Sequence, residues 1–443
     1  TWTVSGTWTN ASTDAAVWEQ GSGAVTFDAA TGGTMTFAGA NLAEAEFNNV
    51  TFTSSAGTAQ TFTMATRGLR WLTTLTVSDT SSTTALATAD LALGAAADTA
   101  DIVVGNGGIL TANASTILVN GVTMTGGTSG VITVTTGAWT VSGNWNTSGA
   151  SSVYTQGTGI VTFDATATIT LLSTDNTFDD LTISAGTATL ATNIVITNGL
   201  IISGGTLAKS TFTLNMTTLT MSGGDLTSTS GNVVVTGAVN ISSVSSAIDF
   251  GSEAWTVSGA WDCLSTDTAV WEAGTGSILF DSATGDASFT PCAITTEAHF
   301  NNVEFDSTAT TGQTWTLATN NLRWAGTMTI EDGGAEAVQN TLATTDLTLA
   351  GGNLTIGTGG TLTANASTVT LTSVTMTGGT DGTITVTTGA WTVSGNWNTS
   401  GAGSTYTQGT GIVTFDATAT ITLLSTDNTF DDLTISAGTV TLA

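Results

Sequence analysis

The chain has 443 residues with a net charge of −29, yet charged residues make up only 8% of it, so the imbalance comes from missing bases rather than surplus acids. The four cations, Arg67, Arg70, Lys209 and Arg323, cannot build the basic patch that nucleic acid or an anionic membrane surface requires. No run of about 18 apolar residues offers a membrane span, and a hydrophobic content of 40% argues against disorder.

Internal repeats organise the chain. A first unit of type A (residues 1–137) opens on Trp2-Thr-Val-Ser-Gly6 and Trp8. It continues through Phe27-Asp28, Phe47-Asn48-Asn49 and Leu69-Arg70-Trp71 to the pairs Gly107-Gly108 and Gly126-Gly127. A unit of type B (138–253) repeats the opening at Trp139 and Trp145, and carries Phe163-Asp164, Phe178-Asp179-Asp180, Gly204-Gly205 and Gly223-Gly224. A second type A unit (254–389) has Trp255, Trp261, Phe280-Asp281, Phe300-Asn301-Asn302, Leu322-Arg323-Trp324, Gly359-Gly360 and Gly378-Gly379. A truncated type B unit (390–443) has Trp391, Trp397, Phe415-Asp416 and Phe430-Asp431-Asp432. Residues 138–191 and 390–443 differ at three of 54 positions: Ser151/Gly403, Val153/Thr405 and Ala188/Val440. Thr1 already lies inside a motif and the last unit is cut short, so the chain reads as a window on a longer polypeptide.

Inside each unit the Gly-Gly pairs recur at a spacing of 19 residues, the size of one solenoid turn. The local pattern is strand. Phe212, Leu214 and Met216 alternate with Thr and Asn, and Val369 with Leu371 and Ile384 with Val386 alternate with Thr. Period-two alternation means one buried face, and Thr suits the outer face of a pleated sheet. The fold expected is all-β, a parallel β-solenoid with rungs of about 20 residues and roughly 22 layers. The alternative is a tandem array of antiparallel β-sandwiches, one per unit. A lone rung costs about 20–40 kcal/mol in backbone entropy. Its few buried side chains return only about 1.5–3 kcal/mol each, so rungs must stack to fold. The Trp-rich phrases are expected to mark broader rungs.

Three phrases carry a resemblance. They are Trp139-Thr-Val-Ser-Gly-Asn-Trp-Asn, Gly157-Thr-Gly-Ile-Val-Thr-Phe-Asp and Thr177-Phe-Asp-Asp-Leu-Thr-Ile-Ser. Together they resemble the repeats of large secreted bacterial and archaeal β-strand-repeat surface proteins, and the Gly-Gly segments resemble rungs of filamentous-haemagglutinin-like adhesins. The resemblance implies secretion, cell-surface location and scaffold or adhesive roles.

Candidate chemistry is sparse. His299, the lone histidine, matches Glu46 in the first copy and reads as structural or surface filler rather than a catalyst. Cys263 and Cys292 both occur in the third unit, where the first has Asn10 and Gly39, and the pairing reads as a disulfide. Asp179, Asp180, Asp431 and Asp432 are the calcium candidates, because calcium takes hard oxygen ligands. They become Asn-Asn in the other copies and also read as turn residues. No cofactor is required, and calcium stays open. Arg70 and Arg323, beside Trp71 and Trp324, suggest a packed or stacked guanidinium, with carbohydrate stacking as the alternative. Glycosylation sequons stand at Asn10, Asn49, Asn113, Asn146, Asn215, Asn240, Asn353, Asn365 and Asn398. Thr-x-Thr recurs on many strands. Such ladders resemble those of ice-binding proteins, although any half-buried strand in a Thr-rich chain gives the same pattern.

The sequence therefore points to a non-enzymatic, extracellular structural repeat region that forms a fibre, sheath or stalk and self-associates. The alternative is an adhesin or carbohydrate-binding module that takes a glycan or cell-surface ligand on the same scaffold.

Overall fold

A computed structural model describes residues 1–10, 21–37, 47–64, 68–88, 92–94, 99–124, 130–172, 177–282, 285–307, 309, 311–333, 339–376, 382–423 and 429–443. Gly39, Glu46, Arg67, Gly126-Gly127 and Gly378-Gly379 lie outside them. The protein is all-β and solenoidal, with about 17 turns of roughly 22 residues. Pairing between the strands is parallel, as in Trp2–Val4 on Ala24–Asp28 and Ile412–Phe415 on Asp432–Ile435, which removes the antiparallel sandwich. The turns are fewer and longer than the 19-residue Gly-Gly spacing suggests. The aromatic rungs are the broad ones: Val25, Val50 and Leu75 stack at intervals of 25 residues, whereas Ile102 and Val122 are 20 apart. Large rings need a wider cross-section, so the loop around them lengthens.

Two compact units divide the chain, Thr1–Asn215 and Met216–Ala443. That boundary falls inside the segment 138–253, not at a repeat boundary. In a stacked fold each rung buries its face on its neighbours.

In the first unit, one parallel sheet runs through Phe47–Thr53, Trp71–Val77, Asp101–Val104 and Val122–Met124. A second runs through Gln60–Met64, Thr84–Thr88, Gly108–Asn113, Val131–Val134 and Val153–Gln156. A third runs through Thr116–Val119, Ala138–Val141 and Ile160–Phe163. The corner before Gly108–Asn113 explains one Gly-Gly pair. Gly107 has φ +65°, and a Cβ at Gly108 would collide with the Val77 carbonyl. Gly359 (φ +66°) and Gly360, against the Ile330 carbonyl, repeat this in the second unit.

The core is made of files of like side chains. Phe27 and Phe52 stack with ring centroids 5.1 Å apart and planes 12° apart. Their counterparts Phe280 and Phe305 stack at 5.1 Å and 17°. Trp145 packs on Tyr154 and Phe178, and Trp397 packs on Tyr406 and Phe430 in the same way. Such pairs add to the area that the rings bury.

Candidate functional site

The strongest polar cluster centres on His299. This residue follows the loop that holds Cys292 and the single proline, Pro291. Cys263 ends the strand Trp261–Cys263 and is bonded to Cys292, with the two Cα atoms 4.5 Å apart. Both sulfurs are buried. His299 is fully buried, not on the surface. Its Nδ1 accepts from the backbone N–H of Arg323 at 3.2 Å, and its Nε2 lies 3.2 Å from the Ile294 carbonyl. A backbone N–H can only donate, so Nδ1 must be bare and the proton must sit on Nε2. The indole N–H of Trp271 donates to the His299 carbonyl at 3.1 Å. Burial, with the nearby Arg323 charge adding to it, holds the imidazole pKa down at about 4. This is a neutral, saturated imidazole that fastens a loop, with no open side for a substrate.

A second cluster lies on an outward face. Glu304, in the strand Asn302–Phe305, neighbours Glu331 and Asp306. Burial, a hydrogen bond to Glu331 and repulsion from both acids raise the Glu304 carboxyl to about 7. Asp306 Oδ1 accepts from Gly333 N–H at 2.7 Å. Among the described residues, no three His, Cys, Asp or Glu side chains are grouped to hold a metal.

The calcium candidates serve the next rung. Asp180 Oδ1 accepts from Gly199 N–H at 2.9 Å and Oδ2 from Asn198 Nδ2 at 3.1 Å. Asp179 Oδ1 accepts from the Thr197 hydroxyl at 3.1 Å. Asp431 and Asp432 are exposed on the last described rung, where the Asp431 N–H donates to Gln408 Oε1 at 3.2 Å.

Neighbouring residues on a strand face opposite ways, so Arg323 and Trp324 do not share a face. Trp71 and Trp324 point into the core and donate their indole N–H to the carbonyls of Asp101 and Asn353, each at 3.0 Å. Arg323 lies on the outer face of its strand. Neither Trp is a sugar platform.

The sequons divide by environment. Asn113 and Asn365 adopt φ +49° and donate their side-chain amides to the carbonyls of Thr88 and Thr344 on the preceding rung. Their partner hydroxyls, Ser115 and Ser367, are fully buried. These two are corner residues, closed to a glycan. Asn146 and Asn398 cap local turns by accepting from the N–H and hydroxyl of Ser148 and Ser400. Asn240 and Asn353 are exposed, while Asn10, Asn49 and Asn215 are half-buried.

Sequence reasoning missed several buried ionisable groups, among them Lys209, Glu253 and Asp79. Lys209 is fully buried on the strand Thr206–Ser210 and donates to the Phe212 carbonyl at 2.6 Å. Glu253 is buried, with the Ser228 hydroxyl and the Trp255 indole N–H donating to its two oxygens. Gly137 and Gly389 stand at the matching place before Trp139 and Trp391. The indole N–H groups of those two Trp residues find no partner among the described residues. Asp79 is buried and accepts from the N–H groups of Ser81 and Ser82 at 2.8 and 3.0 Å and from the Thr84 hydroxyl at 3.0 Å. The available signal for Glu253 was its departure from the Gly-Ala-Trp phrase of the type B units.

A shallow depression near Phe250, Gly276, Ile278, Phe300 and Asn301 has no titratable lining. No protein-family model, curated protein or solved structure matches the chain.

Proposed function

We propose that the chain is a structural repeat region of an extracellular surface protein, built to extend as a fibre, sheath or stalk and to self-associate. The observation that carries this reading is the reuse of one packing solution. Units 252 residues apart in sequence place the same rings in the same contacts, with Trp145 on Tyr154 and Trp397 on Tyr406 both at 5.0 Å. Repetition of this kind serves length and stiffness. Catalysis would call for one constellation unlike the rest, whereas the His299 imidazole and the Asp179 and Asp180 carboxylates are engaged by neighbouring rungs. The Cys263–Cys292 bond supports an oxidising location. The resemblance to β-strand-repeat surface proteins agrees with it.

Cryo-electron microscopy of the purified chain across a concentration series tests this reading. Filaments or lateral bundles with a layer spacing of about 4.8 Å are the expected result. Monomers at every concentration would overturn self-association.

A further inference from the structure

An Asn followed by Gly is open to attack by its own chain, because Gly has no Cβ to screen its backbone nitrogen. That nitrogen loses its proton and attacks the Asn side-chain carbon, Cγ. A C–N bond forms, ammonia leaves, and water then opens the cyclic imide to Asp or isoaspartate. The chain carries Asn-Gly at 106–107, 120–121 and 198–199. The last two lie beside a carboxylate of the preceding rung. Asp180 neighbours Gly199 in the register that pairs Leu181 with Leu200. Its Oδ1 accepts from the Gly199 N–H at 2.9 Å and its Oδ2 from Asn198 Nδ2 at 3.1 Å. One carboxylate therefore holds both the attacking nitrogen and the leaving nitrogen. Asp101 neighbours Gly121 in the register that pairs Ile102 with Val122. Its Oδ1 accepts from Asn120 Nδ2 at 2.8 Å, and the same oxygen would lie 3.1 Å from a Cβ on Gly121.

The copies change these pairs in step. In the second type A unit, Asp101 is replaced by Asn353 and Asn120-Gly121 by Thr372-Ser373, and Asn353 still pairs with Ser373. The place of Asp180 is taken by Asn302 in that unit, where the next rung carries Gly326-Thr327. It is taken by Asn49 in the first unit, where the next rung carries Thr73-Thr74. At these two positions the carboxylate accompanies Asn-Gly, and a carboxamide stands where Asn-Gly is absent. The backbone contact alone does not need the charge. Asn302 Oδ1 accepts from the Thr327 N–H at 2.9 Å, the same bond that Asp180 makes to Gly199.

We propose that Asn120 and Asn198 are latent deamidation sites, and that Asp101 and Asp180 keep them closed. Attack needs an anion at the Gly nitrogen, and a negative charge beside that nitrogen opposes it. The bond to the Asn Nδ2 ties the leaving nitrogen to the rung before. At 198–199 the strand Ile194–Ile202 also holds both residues extended. The two Asp residues are positioning groups that protect the chain's own covalent structure. This inference is independent of the fibre reading.

The test is ageing of the intact chain at pH 8, with conversion of each Asn to Asp and isoaspartate read by peptide mass spectrometry. Asn120 and Asn198 should convert far more slowly in the folded parent than in the same chain held in denaturant. Asp101→Asn and Asp180→Asn introduce the residue type that stands at the matching places as Asn353 and Asn302, so the fold is kept. Conversion should then rise about tenfold, the loss of about one charged hydrogen bond, at Asn120 in the first variant and at Asn198 in the second. Each variant should leave the other site unchanged. Hydrogen exchange of the Gly121 and Gly199 amides, followed in the same samples, measures how often each step opens. Conversion in the folded parent as fast as in denaturant, or no acceleration in the folded variants, would overturn the proposal. So would slower conversion, which would make the carboxylates bases for the reaction. An acceleration matched by an equal rise in amide exchange would reduce the two Asp residues to ordinary strand contacts and overturn it as well.

Discussion

The imidazole Nδ1 of His299 accepts a hydrogen bond from the backbone N–H of Arg323, 24 residues away in sequence and one rung along. Protonating Nδ1 would set two donors against each other beside the Arg323 charge. The folded pKa of about 4 lies below the ordinary 6.5, so the unfolded chain binds more protons between these values and stability falls with pH. The loss begins near pH 6.5 and is complete below about pH 4. It amounts to about 3 kcal/mol. Denaturant melts of the parent and of His299→Gln at pH 7 and pH 4 check this. The parent should lose more stability than the variant over that interval, and equal losses would refute the assignment.

Glu304 predicts the opposite sign. Its carboxyl is raised to about 7 from 4.5, so the folded state holds the extra proton and stability falls as pH rises from 4.5 through 7. Glu304→Gln keeps the hydrogen bond to Glu331 without the second charge. It should raise the melting temperature at pH 8 and have little effect at pH 4. Solvent screens this half-exposed site, so the gain should be modest and should shrink in high salt.

Much of the fold was legible in the sequence because a stacked rung obeys short-range rules. The alternation of Val369 and Leu371 with Thr fixed which face turns inward, and the Gly107-Gly108 pair marked a corner where no Cβ fits. Rung length was harder to read. It depends on how wide a cross-section Phe27, Phe52 and Trp71 need, which no local pattern encodes. The polar interior was hidden for a similar reason. Lys209 occupies an inward position of an alternating strand, a place normally apolar, and only the fold shows that its ammonium reaches the Phe212 carbonyl. His299 was read as unremarkable filler because its partners, Ile294 and Arg323, come from a loop and from the next rung.

Calcium removal should leave the first unit unchanged. Asp179 Oδ1 and both Asp180 oxygens already accept from Thr197, Asn198 and Gly199, so these carboxylates hold the next rung without a cation. Thermal melts with and without a chelator should superimpose. By contrast, Asp180→Ala should cost about 1–3 kcal/mol by leaving the Gly199 N–H and the Asn198 amide without their acceptor. A melting temperature that falls on chelation would establish a metal that these contacts do not predict.

Breaking the Cys263–Cys292 bond should loosen one part of the stack rather than the whole. The bond closes a loop of 29 residues, and the chain-entropy model assigns such a loop about 3–4 kcal/mol. A solenoid passes stability mainly between neighbouring rungs, so the loss should stay near the strands Trp261–Cys263 and Ala287–Thr290 and the His299 loop. Hydrogen exchange on the Cys263→Ser, Cys292→Ser double variant should show faster exchange across 261–300. Amides on distant rungs, such as those of Thr370 and Thr392, should keep their protection. A uniform rise in exchange across Met216–Ala443 would mean that this unit opens as a single cooperative block, and the rung-by-rung account of its stability would then be wrong.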